Sequence, residues 1–254
     1  MALSRHAVVT GAGRGIGAAI ARALARQGHR VTLMGRTAPA LESLQADLPG
    51  EGHGVALLDV TDASSVAQAF ARAREALGPV SILVNNAGQA ESAPFAKTDA
   101  ALWQRMLAVN LTGTYLCTQA ALPDLLGAGW GRIVNVASTA GLRGYAYVTA
   151  YTAAKHGVVG LTRALALELA KKGVTVNAVC PGYTETDLLR QSIEGIVAKT
   201  GRSEAQARAE LAAGNPQGRL VQPEEVADAV AWLCREEAAA ITGQAISVSG
   251  GEVM

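Results

Sequence analysis

Tyr151-Thr152-Ala153-Ala154-Lys155 sets a phenol and an ammonium one helical turn apart, on the same face of a helix. An unperturbed Tyr loses its proton near pH ~10, too high for efficient acid–base work at neutral pH. A cation held close to the phenol stabilises the phenolate and lowers that pKa, toward the range where proton transfer is efficient. Ser138 lies upstream, at the end of Arg132-Ile133-Val134-Asn135-Val136-Ala137, a run that reads as a buried strand passing into a loop. A hydroxyl there has the reach to sit beside the phenol and hold a substrate oxygen. The same Tyr and Lys would also suit an ordinary amphipathic helix, so the pair needs support from the rest of the chain. Tyr145 and Tyr147 are close by, but neither is followed by a Lys one turn later.

The elements that must position these groups follow from the apolar pattern. Short strand-like runs occur at Ala7–Thr10, Val31–Met34, Val55–Leu58, Ile82–Val84, Ile133–Val136, Val174–Val179 and Ala245–Val248. Longer segments with Ala, Leu, Arg and Glu at helical spacing separate them. Apolar strands alternating with helices predict an α/β fold with one doubly wound parallel sheet, covered on both faces. No repeat, low-complexity stretch or interdomain linker interrupts residues 1–254, so a single domain is expected.

The first run leads into Thr10-Gly11-Ala12-Gly13-Arg14-Gly15-Ile16-Gly17, with a helix predicted over Ala18–Gln27. Glycines there let the backbone turn tightly and approach a pyrophosphate held at the helix N-terminus. No Lys-Ser/Thr follows, which argues against a nucleoside-triphosphate loop. Plain turns also use glycine; the strand–loop–helix context favours a dinucleotide. The second strand ends in Gly35-Arg36, with no carboxylate to accept ribose hydroxyls as in NAD sites. Arg14 and Arg36 together suit a 2′-phosphate. Arg36 as a solvated surface charge is the competing reading; the balance favours NADP(H), with NAD(H) possible.

Asp59-Val60 follows the third strand, where the carboxylate would accept the adenine amino group and Val60 would line the ring; Asp59 as a helix cap before Asp62 is equally compatible. Asn85-Asn86-Ala87-Gly88 ends the fourth strand. Its amides suit ties between strands and its small residues leave room for the cofactor, although an Asn-Gly-rich turn would look the same. Asn110 interrupts an otherwise apolar helix, a poor place for an amide. Either it bonds locally, or a kink frees its backbone carbonyl to hold a water.

Composition narrows the class further. Of 254 residues 50% are hydrophobic, ample for one core. Lys and Arg number 22 against 21 Asp and Glu, so nothing points to nucleic acid or another polyanion. No run of ~18 apolar residues suggests a membrane span, and Met106 to Pro123, the longest uncharged run, reads as a core helix. The N-terminus enters a strand without a signal-type apolar region. Cys117, Cys180 and Cys234 are odd in number and set in apolar surroundings, as expected of reduced core thiols in a cytoplasmic protein. The four histidines form no ligand spacing, and no metal site is expected.

In this order, Thr10-Gly11-x-x-x-Gly15-x-Gly17, Asn85-Asn86-Ala87-Gly88, Asn110, Ser138, Tyr151-x-x-x-Lys155 and Pro181-Gly182 resemble the short-chain dehydrogenase/reductase family over nearly the whole chain. The resemblance implies a Rossmann fold. It implies that Tyr151 is the general acid/base, that Ser138 polarises the substrate oxygen, and that Lys155 lowers the Tyr151 pKa and binds the nicotinamide ribose. It implies further that Asn110 anchors a relay water and that Pro181, Gly182, Tyr183, Thr184 and Thr186 lie against the nicotinamide. Arg36, Asp59-Val60, Gly218-Arg219, Pro223-Glu224-Glu225-Val226-Ala227 and the tail from Ile241 to Gly251 look like 3-oxoacyl-thioester reductases, polyketide ketoreductases and 3-hydroxybutyrate dehydrogenases. Relatives acting on carrier proteins often carry Arg where this chain has Gly129-Trp130, which leaves a coenzyme A ester or a free ketone open.

The expected activity is reduction of a ketone, or oxidation of the secondary alcohol, with NADP(H). A dehydrogenase of 3-hydroxy acids using NAD is the alternative. A dinucleotide sensor without chemistry is disfavoured by the intact Ser138, Tyr151 and Lys155. The helices around Trp103–Leu126 and Thr152–Ala170 carry excess apolar surface, and the resemblance implies that they pair between subunits in a homotetramer. Residues 187–220 are far more than a connecting loop needs. Leu188, Leu189, Ile193, Ile196 and Val197, then Ala205, Ala209 and Leu211, fall at helical spacing. They predict two short amphipathic helices forming a lid, its apolar face toward a substrate with an apolar body, with subunit packing as the competing reading. Gln89 to Phe95, Leu142 to Val148 and Tyr183 would form the opposite wall.

Overall fold

The computed structural model describes residues 4–254, apart from the side chains of Leu188, Gln191 and Lys199. The seven apolar runs become strands β1 (His6–Thr10), β2 (Arg30–Gly35), β3 (Gly54–Leu57), β4 (Ile82–Asn85), β5 (Gly131–Val136), β6 (Val174–Pro181) and β7 (Ala245–Val248). They pair in parallel in one sheet of order β3-β2-β1-β4-β5-β6-β7. The chain winds outward from β1 to one side, then returns and winds to the other through β4. This is the doubly wound order whose crevice at the carboxyl ends of the strands, between β1 and β4, takes a ligand.

Successive strand residues point to opposite faces, and here both faces are dry. Val9, Leu33, Val84 and Val134 pack under helices α1 (Gly15–Arg26), α2 (Ala38–Asp47) and α9 (Pro223–Leu233). Val8, Met34, Leu83 and Ile133 pack under α3 (Ala63–Leu77), α5 (Gly113–Gly127) and α6 (Thr149–Leu169). Helix α1 begins at Gly15, earlier than its apolar pattern suggests, because the glycine loop winds directly into the first turn. Asp62 caps α3 by accepting from the Ser64 N–H at 2.8 Å, and Asp99 caps α4 (Ala100–Leu107) by accepting from Leu102 N at 2.7 Å.

The uncharged run from Met106 is not a uniform helix. A wide π turn over Ala108–Thr112 joins α4 to α5, and such turns gather at functional sites. The segment after β6 forms α7 (Asp187–Thr200) and α8 (Glu204–Ala212), the two helices expected there. Their apolar residues are used differently from the expectation. Leu189 and Ile193 of α7 pack against Ala207 and Leu220 in a small core of their own, with Leu211 beside it. Ala205 and Ala209 are exposed, and Ala207 is the buried residue of α8. Turning α7 against α8 buries the inner faces of both, which leaves Ile193 inside this small core rather than on an outward apolar face. The Leu188 side chain lies outside the described residues. Among the described residues no helix is long and apolar enough to cross a membrane, and Cys117, Cys180 and Cys234 are all free and buried.

Candidate active site

The loop leaving β5 and the first turn of α6 bring Ser138 and Tyr151 together, with the serine hydroxyl close enough to favour the phenolate. Ser138 also accepts from Ala140 N at 3.1 Å, which fixes its rotamer at the start of a short helical turn. One turn along α6, Lys155 is only 5% exposed and its ammonium stands 5.7 Å from the centre of the Tyr151 ring. The expected lowering of the phenol pKa is not what this geometry produces. Burial pushes Tyr151 above the usual tyrosine range, and the Ser138 hydroxyl opposes that only in part. Lys155 does not donate to the phenol; it donates to the Val136 carbonyl at 2.9 Å. Burial takes Lys155 down to about 8.

Asn110 sits fully buried inside the π turn. Its side-chain amide donates to Gln89 O at 2.9 Å and Met106 O at 3.0 Å, and accepts from Gln89 N at 3.2 Å. The amide thus bonds locally, and although the helix is distorted here its Asn110 carbonyl is not left free. The Asn110 carbonyl accepts from the Thr114 hydroxyl at 3.0 Å. Gly88 lies against this site, since a Cβ there would stand 2.8 Å from Asn110 Oδ1 and 3.6 Å from Lys155 Nζ.

The glycine loop packs as a cradle for a ligand backbone. A Cβ on Gly17 would lie 2.3 Å from Gly11 O, and one on Gly11 would lie 2.9 Å from Ala87 Cα. Gly15 holds φ +53°, a left-handed conformation suited to glycine. Helix α1 has no side-chain cap, so its first N–H groups are left for an anion at a positive helix end. Ile16 leans on the core beneath. These features fit a dinucleotide pyrophosphate. Asn86 closes the cradle by donating to Thr10 O at 2.9 Å and Gly11 O at 3.1 Å. Thr10, which the sequence reading used only as a flank, accepts from both Asn86 N and Ala87 N at 3.0 Å.

At the adenosine end, Arg36 is exposed and has no ion-pair partner among the described residues. Arg14 instead reaches Asp187 at the start of α7, at 3.9 Å. Asp59 is not the cap of α3; Asp62 is. The Asp59 carboxylate accepts from Thr61 N and Oγ1 at 2.9 and 2.7 Å, and those bonds hold it below the usual carboxylate range. Val60 is buried against α5, where a Cβ on Gly113 would meet its own Cβ at 2.8 Å. On the other side, Pro181 ends β6, and Gly182 N donates to Val248 O at 3.1 Å. Thr184 donates to Gly182 O at 2.9 Å. Thr186 caps α7, accepting from Leu189 N at 3.3 Å.

Sequence reasoning missed a group that joins this site from the end of the chain. Glu252 accepts from the Tyr145 hydroxyl at 2.6 Å, and that phenol lies 2.8 Å from Thr139 Oγ1, next to Ser138. No local spacing signals the contact, because it forms only where the tail leaves β7. The tie between strands expected of the Asn85-Asn86 amides lies beneath the site and extends to the helices. Asn85 donates to Asn135 at 2.9 Å and to Thr118 at 3.0 Å, and Asn135 donates to Thr162 at 2.9 Å. It runs from α5 through β4 and β5 to α6, pinning α6, which carries Tyr151, to the helix that follows the π turn of Asn110.

A parallel sheet of this order, with a glycine cradle at its switch point and a Ser–Tyr–Lys cluster beside it, defines a nucleotide-dependent oxidoreductase architecture. The family described as short chain dehydrogenase matches residues 5–196, and the chain belongs to it. The chain is 43% identical over 250 residues to the cis-4-hydroxycyclohexanecarboxylate dehydrogenase of Sinomonas cyclohexanicum, covering 97% of this chain and 96% of the relative. It is 38% identical over 254 residues to the D-beta-hydroxybutyrate dehydrogenase of Rhizobium meliloti, covering 98% of each. A crystal structure of a variant of the actinorhodin polyketide ketoreductase with NADPH superposes with a TM-score of 0.95 at 41% identity, covering 99% of each chain.

Proposed function

We propose that this short-chain dehydrogenase is an NADP(H)-dependent reductase of a ketone to a secondary alcohol, and of the reverse reaction, with a 3-oxoacyl thioester or polyketide-like ketone as substrate. The observation that carries the reading is the Ser138 hydroxyl beside the Tyr151 phenol, with the Lys155 ammonium buried one turn behind. Gly11, Arg14, Gly15, Ile16 and Gly17 would hold the pyrophosphate, Arg36 the 2′-phosphate, Asp59 and Val60 the adenine side, and Asn86, Ala87 and Gly88 the centre. Lys155, Pro181, Gly182, Thr184 and Thr186 would hold the nicotinamide half. When bound, the nicotinamide supplies or accepts the hydride.

The protein's own work is on the oxygen. Ser138 and Tyr151 donate to the substrate carbonyl and stabilise the negative charge that develops on it. A phenol whose pKa is raised stays protonated at neutral pH and can deliver that proton to the alkoxide. Lys155 keeps a positive charge within reach of the phenolate left behind. Asn110, held in its π turn, keeps open a route by which Tyr151 is reprotonated.

Residues 1–254 act as one dehydrogenase domain in this reading, with 187–220 as a lid that excludes water. We place the working form in the cytoplasm, on the three buried free thiols, as a homotetramer. NADPH oxidation followed at 340 nm with a panel of simple ketones and 3-oxoacyl thioesters tests the function. Steady turnover of at least one is expected. A protein that binds NADPH but oxidises it with none of them would instead be a dinucleotide sensor.

A further inference from the structure

The tail leaving β7 turns back and sets a carboxylate against the loops around the proposed carbonyl site. The Glu252 side chain is only 3% exposed. Its Oε1 accepts from Tyr145, and Arg143 Nη2 lies 3.4 Å away. A Cβ on Gly182 would stand 2.9 Å from its Oε2, and the Tyr183 ring meets Tyr145 edge-on at 6.4 Å. The carboxylate therefore touches both the loop after β5, which carries Ser138, and the loop after β6, which carries Gly182 and Tyr183.

Its counter-charge does not cancel it inside the site. Arg143 is 48% exposed and lies over the outer face of the Tyr145 ring, 4.5 Å from its centre. A solvated guanidinium is screened by water and salt, whereas an enclosed carboxylate is not. Glu252 thus sets an enclosed negative charge against the Tyr145 hydroxyl and the Gly182 backbone. Arg143, the cation beside this charge, is held by Glu252, while Lys155 lies deeper and donates to the Val136 carbonyl.

We infer that Glu252 is a specificity-determining residue: it directs the site to carbonyl compounds uncharged around the reacting ketone, such as esters and thioesters, and against free keto acids. The inference rests on the reading of Ser138 and Tyr151 as the ketone-reducing pair. Like charges opposed in an enclosed site are costly, so a keto acid meets a penalty that its ester does not.

Ethyl acetoacetate and acetoacetate form the deciding pair, assayed with NADPH at pH 7. The wild-type protein should use the ester with kcat/KM at least roughly 10-fold above the acid, the size expected of one unfavourable charge contact. Glu252→Gln keeps the shape and an acceptor for Tyr145 while removing the charge. It should raise the acid-to-ester ratio by about 10-fold, and Arg143→Gln in the same background should reverse that gain because the freed guanidinium supplies it. An acid used as well as the ester by the wild type, or a ratio shifted less than about twofold in Glu252→Gln, would overturn the inference. A wild-type measurement covers a variant that fails to fold: butyramide should compete with the ester at least roughly 10-fold more tightly than butyrate, and equal inhibition would also overturn it. Turnover of neither substrate would take down the reductase reading itself, and this inference with it.

Discussion

Burial and the Ser138 hydroxyl pull the Tyr151 phenol in opposite directions, and burial wins. That suits an acid in ketone reduction, which must hold its proton until the alkoxide forms. Tyr151→Phe should cost roughly 10²–10⁴-fold in kcat, the usual worth of a positioned general acid, with NADPH affinity by fluorescence titration nearly unchanged. Turnover within a few-fold of wild type would remove Tyr151 from the mechanism. Lys155 offers a pH test. Its value in the folded protein, about 8, lies below the roughly 10.4 of an unfolded lysine. Between those values the unfolded chain binds more protons, so this residue's contribution to stability grows as pH rises through the window. Activity should move the other way, because a neutral amine no longer supports a phenolate: reductive kcat/KM should fall as pH rises through about 8. Lys155→Arg stays charged throughout and should shift that fall upward; superimposable profiles would assign it to another group. Arg36 is exposed and unpaired among the described residues. Arg36→Ala should weaken NADPH much more than NADH, and equal losses would show that it does not read the 2′-phosphate.

At the scale of elements, the local spacing that revealed α6 and the glycine loop reports on one helix or one turn at a time. Tyr151, Lys155 and the cradle glycines were legible because their partners lie within one turn or one tight loop. Asn110 was legible only as an anomaly: an amide in an apolar helix signals that something bends, and the π turn is what bends. Residues 187–220 show the limit of such reasoning. Their apolar spacing gave two helices correctly but not their facing, since whether Ile193 meets substrate or Leu220 depends on how α7 crosses α8. Ile193 is 1% exposed and sits in the core that α7 and α8 share. Cutting a buried Ile to Ala usually costs ~2–5 kcal/mol, here spent on holding α7 and α8 together. Ile193→Ala should therefore speed amide exchange across α7 and α8 and lower kcat/KM for small and bulky ketones alike. A loss confined to bulky substrates would mean that Ile193 touches them.

At the scale of the molecule, spacing did not show which distant groups would meet. The Glu252–Tyr145 bond and the Asn85–Asn135 tie exist only because the sheet order brings β7 beside β6 and β4 beside β5. The same order separates two apolar patches. On the face of α5 and α6, Leu167 is 83% exposed, Tyr115 46% and Leu126 40%. On the opposite face α9 exposes Trp232 to 42%. Large apolar side chains grouped in the open mark interfaces. In the tetramer we propose, each of these faces would meet its copy across a two-fold axis, which would give four chains rather than two. Light scattering should then give the mass of four 26.0 kDa chains. Leu167→Glu places a charge in the first patch and leaves the second intact, so it should halve the mass rather than reduce it to one chain. It should also slow turnover, because α6 carries Tyr151 and Lys155 and a partner packed on its outer face holds it in place. A wild-type protein running as a single 26.0 kDa chain at micromolar concentration would rule out the tetramer, and a Leu167→Glu variant of unchanged mass would put the interface elsewhere.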